Sequence, residues 1–148
     1  MAVWLKGLPF RRMREKIVGI KLDMLYRVLS EHPINADAVL REANVEESIR
    51  AINRLQLAET LTHRYIGIEH RRWAHCEDLA AETIHFAQLC RAKFAVFFDV
   101  REIQVHELYG AVFHTSGTPA PLLWLKQNDL LTLHALGFGL ALNFYPPE

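Results

Sequence analysis

A chain of 148 residues, 51% hydrophobic and 23% charged, holds enough apolar material for one good core but hardly for two independent domains. That composition excludes intrinsic disorder, and a formal net charge of zero argues against a nucleic-acid binder held by bulk charge alone. No apolar run approaches the roughly 20 residues of a membrane-spanning helix; the longest candidate, 130–142, is short and carries His134.

The neutral total hides a split. Residues 1–73 hold 13 Lys and Arg against 9 Asp and Glu, whereas residues 74–148 hold 4 against 8, which suggests a basic, partner-facing first half and another task for the second. The first sixteen residues, with five basic groups and one acidic, lack the apolar stretch and cleavage site of a secretory signal, so a cytoplasmic protein is expected.

In chain order, a helix is expected from Arg11 to Glu31. On a helical wheel Ile17, Val18, Leu22, Met24, Leu25, Val28 and Leu29 share one arc, and Pro33 closes the segment. A short helix over 36–43 follows, with Asn35 as its N-cap, and a third begins near Glu46 and presents Ile49, Ile52 and Leu55. "LTHRYIGIEHRRW" reads either as a continued helical stripe or as two short strands turning at Gly67.

From His75 to about Lys93 the pattern is helical and encloses Cys76 and Cys90, which are too far apart along one helix to pair and are expected to be buried thiols. "FAVFFDV" fits a buried strand or the helix end, "REIQVHELYGAVF" a helix or a strand, and "HTSGTPAP" a loop. Near the C-terminus comes an apolar tetrad, a turn or N-cap at Asn128-Asp129, and an apolar segment loosened by Gly137 and Gly139.

These elements predict an α-rich α+β fold in a single domain: a three-helix N-terminal lobe (about 10–73) packed on a C-terminal lobe (about 74–148) with one long helix and a few short strands.

Residues 22–57, with a leading helix, a proline break, a short second helix, a turn at "ANV" and a third helix, resemble the winged-helix and helix-turn-helix DNA-binding domains. Asn44 stands where that family usually has glycine, and "LTHRYIGIEHRRW" (61–73) would supply the wing. The resemblance implies a small DNA-binding regulator whose third helix reads double-stranded DNA through Ser48, Arg50, Asn53 and Arg54, with Arg64, Arg71 and Arg72 on or near the wing.

Other constellations are thinner. His75, Asp78, Glu82 and His85 share one side of the expected helix, and Glu82-x-x-His85 has the spacing of di-iron bundles, yet no second Glu-x-x-His accompanies it. A solvated face explains it better, and a metal-dependent enzyme ranks third among the functions. Ser116 beside His114 and Cys76 beside His75 could each be drawn as an activated nucleophile, but no oxyanion hole, phosphate loop or cofactor motif is legible, so no catalytic residue and no cofactor is expected. Finally, Phe94, Phe97, Phe98, Phe113, Trp124, Phe138, Phe144 and Tyr145 crowd the acidic half. That loading predicts a homodimer or a protein-binding module that acts through the C-terminal half.

Overall fold

The computed structural model describes residues 19–32, 34–42, 65–115, 117 and 119–147. Strand β1 (Ile20–Ser30) leads to helix α1 (Ala36–Glu42), strand β2 (Tyr65–Trp73) and helix α2 (Leu79–Lys93). A 3-10 turn (Ala95–Asp99), strand β3 (Ile103–His114), helix α3 (Gln127–Leu136) and strand β4 (Gly139–Phe144) complete the described chain.

The expected first helix is overturned over its described part, since 20–30 is a strand. Leu22, Met24, Tyr26, Val28 and Ser30 are all buried while the residues between them are not, the period of two that places alternate side chains on one face of a sheet. Leu25 and Leu29, which completed the helical arc, lie on the opposite face.

β1 is central rather than peripheral. The sheet order is β2-β1-β3-β4, with β1 antiparallel to both neighbours and β4 parallel to β3. Strands from both halves of the sequence therefore share one mixed sheet, which replaces the expected division into a helical lobe and a second lobe. Residues 65–73 run as one strand with no reversal at Gly67. A register shift opposite Tyr26/Arg27 absorbs the irregularity, the local kink a β-bulge provides.

The short second helix is present, and the Asn35 side chain accepts from the Ala38 N–H at 3.1 Å, satisfying one of the free donors of the first turn. The expected third helix lies outside the described residues.

α2 packs on the inner face of the sheet and buries Leu79, Thr83, Phe86, Ala87 and Cys90. It begins at Leu79, not His75, because Asp78 caps it by accepting from the Ala81 N–H at 3.0 Å. Three contacts with β2 fix it: Trp73 meets Phe86 edge to face, the Trp73 indole N–H donates to Glu82 at 2.9 Å, and Lys93 donates to Glu69 at 3.1 Å. α3 is the crossover between parallel strands β3 and β4, a connection that needs an intervening element. It closes at Gly137, whose φ of 84° is the left-handed cap position. No described helix is long and apolar enough to cross a membrane.

Candidate functional site

The residues singled out for DNA contact divide in two. Ser48, Arg50, Asn53, Arg54 and Arg64 lie outside the described residues, while Arg71 and Arg72 fall on β2. Both are exposed. Arg72 is ion-paired with Asp23, which also pairs with His70, and the Arg71 guanidinium sits over the Trp73 ring at 5.2 Å. Among the described residues β2 is an edge of the sheet, and these groups give that edge a basic, hydrated character.

The helical carboxylate and histidine set is put to structural use. Asp78 is the cap of α2, Glu82 accepts from Trp73, and His75 precedes the helix while His85 is exposed on it. Among the described residues no group of three or more His, Cys, Asp or Glu side chains could hold a metal ion.

Cys76 and Cys90 are free and buried. Burial, with Glu82 second, pushes the Cys76 thiol up to about 11, and burial also raises Cys90. A thiol held protonated is the opposite of an activated one. Ser116 lies outside the described residues, and the Nδ1 of His114 is buried with no hydrogen-bond partner.

The inner face holds a polar pair that sequence reasoning passed over. The Tyr26 hydroxyl is 2.7 Å from His106 Nδ1, His106 stacks on Phe98 with centroids 3.7 Å apart, and Phe138 meets the Tyr26 ring edge-on at 5.2 Å. Burial and then Arg91 push the His106 imidazole down to about 4, and burial chiefly pushes the Tyr26 phenol up. Both groups are therefore neutral near pH 7 and joined by one hydrogen bond inside an aromatic cage.

On the outer face Arg27 lies against Tyr65 and Tyr109, 4.0 and 4.1 Å from their ring centroids, while its Nε donates to Glu107 at 2.9 Å. A guanidinium so engaged is held in place rather than offered to a ligand.

The feature that stands apart is β4. Among the described residues no strand pairs with its outer side, and its sequence, GLALNF, contains neither charge nor proline. The Tyr145 N–H donates inward to the Val112 carbonyl at 2.9 Å. Alternation along a strand then turns the main-chain N–H and C=O of Leu140, Leu142 and Phe144 toward the open edge. Natural edges are usually blunted by charge or proline, and here only Pro146-Pro147, beyond the strand, does so. Phe144 and Tyr145 at the end of the strand are exposed apolar groups; Leu130 and Leu131 on α3 are exposed too, while the exposed Leu122 and Trp124, the latter 69% exposed, border a cleft against the start of α2. In the sequence, the signal for this edge was a six-residue uncharged run stopped by two prolines.

No family model matches this chain, and neither a curated protein nor a solved structure does.

Proposed function

We propose that the protein is a protein-interaction module whose C-terminal half joins it to a second copy of itself along β4. The observation that carries this reading is the open, uncharged edge of a strand that offers three outward main-chain positions. Two copies of β4 laid antiparallel about a twofold axis exchange about six main-chain hydrogen bonds. Because the strand bears no charge, pairing it with itself sets no like charges opposite one another. The other edge would set the basic side chains of β2 against their own copies. A strand of six residues is about 20 Å long and too small to hold a dimer by itself, and the exposed Phe144 and Tyr145 at its end are apolar surface available to enlarge the contact.

Sedimentation equilibrium from low to high micromolar concentration tests it. The expected mass rises to twice 17.1 kDa, and Phe144→Pro, which removes an outward N–H at an exposed position, keeps the protein monomeric. A wild-type protein that stays monomeric throughout sinks the proposal.

A DNA-binding regulator is the second reading, favoured by the exposed Arg71 and Arg72 on the basic edge. Anisotropy with random duplex DNA at two salt concentrations tests it, with an Arg50→Ala, Arg54→Ala, Arg71→Ala, Arg72→Ala variant as control. Salt-sensitive binding lost in the variant is the expected outcome, and absence of binding at low salt removes the reading.

A further inference from the structure

At the end of the sheet where β1 stops and β3 begins, α1 and the 3-10 turn border a groove of about 870 Å³. Ile34, Val39, Val96 and Val100 line it, partly buried and packed against the core, so its floor is apolar. Glu42, Asp99 and Glu102 also line it, all exposed, with Arg101 the cation among its described lining residues.

These three carboxylates differ from most others in the described structure. Asp23, Glu69 and Glu107 are each ion-paired, Asp78 and Asp129 accept from backbone N–H groups at helix starts, and Glu82 accepts from Trp73. Glu42, Asp99 and Glu102 have no ion-pair or hydrogen-bond partner among the described residues. Negative charge without a partner among the described residues thus gathers around an apolar depression whose volume suits a few side chains.

We propose that this groove is a docking site for a basic amphipathic peptide segment of a protein partner. Apolar side chains of the segment occupy the Ile34, Val39, Val96 and Val100 floor, and its Lys or Arg side chains answer the three carboxylates. The same negative rim repels nucleic acid and anionic lipid, which makes a cationic peptide the class of partner that the charge selects. The groove uses no residue of β4, so this inference goes beyond self-association, and a dimer would carry two such sites.

The probe is a fluorescein-labelled synthetic peptide of about 14 residues with leucines at helical spacing and lysines elsewhere, beside a control in which glutamate replaces every lysine. Binding by anisotropy is expected for the lysine peptide and not for the control. It should weaken about tenfold in a Glu42→Gln, Asp99→Asn, Glu102→Gln variant and weaken further with added salt. All three substitutions are exposed and nearly isosteric, and Val39→Lys on the floor gives a second, charge-opposed test. Phe144→Pro should bind the peptide like the wild type, which separates the fate of this site from that of the β4 contact. Failure of the lysine peptide to bind, equal binding of the glutamate control, or undiminished affinity in the triple variant overturns the proposal.

Discussion

The Tyr26 hydroxyl and the His106 imidazole, on adjacent central strands and 80 residues apart in the chain, meet at 2.7 Å within a cage of Phe98 and Phe138. Tyr26 is fully buried, so the bond satisfies a polar group that would otherwise be left dry. Removing it with Tyr26→Phe orphans His106 Nδ1 and should destabilise the protein by about 1–3 kcal/mol. Urea unfolding followed by tryptophan fluorescence reads this as a lower midpoint at unchanged slope. An unchanged midpoint would show that the pair contributes nothing net.

The same pair makes stability depend on pH. The folded protein holds His106 near 4 instead of the ordinary 6.5, so between those values the unfolded chain binds more protons than the native one. Stability from this group is complete above pH 6.5 and is lost as pH falls to about 4. A difference of that size corresponds to at most about 3–4 kcal/mol. Melting temperatures from pH 8 to 4 should therefore fall more steeply in the wild type than in His106→Gln; parallel curves would contradict the assignment.

Gly110 lies on β3 opposite Met24 and beside Leu142 of β4. A Cβ there would run into Leu142 Cδ2 and touch Met24 Cε at 3.4 Å. The obstructing atom is the end of a leucine side chain on an edge strand, so it can yield. Gly110→Ala should cost about 1–2 kcal/mol, and Leu142→Ala should relieve part of that cost. A double-mutant cycle with strictly additive losses would refute the clash.

Gly137 closes α3 with φ of 84°, and a Cβ there would lie 3.2 Å from Phe98 Cε1. Gly137→Ala should lose about 1 kcal/mol or more through both the left-handed backbone and the crowded ring. Asp78→Ala, which strips the cap from α2, should lose about 1 kcal/mol. Thermal unfolding by circular dichroism checks both. A melting point preserved in either variant would remove the corresponding argument.

How far the fold was legible turns on a few residues. Asn35 announced α1 because its short side chain can reach an amide three residues on, a local signal that needs no tertiary partner. The helix of 79–93 was legible from its apolar spacing, another local signal, although its start was misplaced by four residues because the Asp78 cap was not recognised. β1 was misread because "IKLDMLYRVLS" satisfies both periods: Leu25 and Leu29 complete a helical arc, while Leu22, Met24, Tyr26 and Val28 keep the strand alternation. Pairing with β2 on one side and β3 on the other decides between them, and that information lies 36 (Leu29 to Tyr65) to 94 (Ile20 to His114) residues away. The lobe division failed with it, because a strand at the centre of the sheet ties both halves together. The Tyr26–His106 pair and the α1 groove are products of the same distant pairings, so neither had a local motif to reveal it.

The two sides of the sheet also bear on how large an assembly the proposed β4 contact would build. Pairing along β4 as proposed would leave β2 as the outermost described strand at both ends of the joined sheet, and there Arg71 and Arg72 would confront their own kind. An assembly with a twofold axis through one edge and like-charge repulsion at the other is closed. Such an assembly would stop at two copies and not lengthen into a fibre.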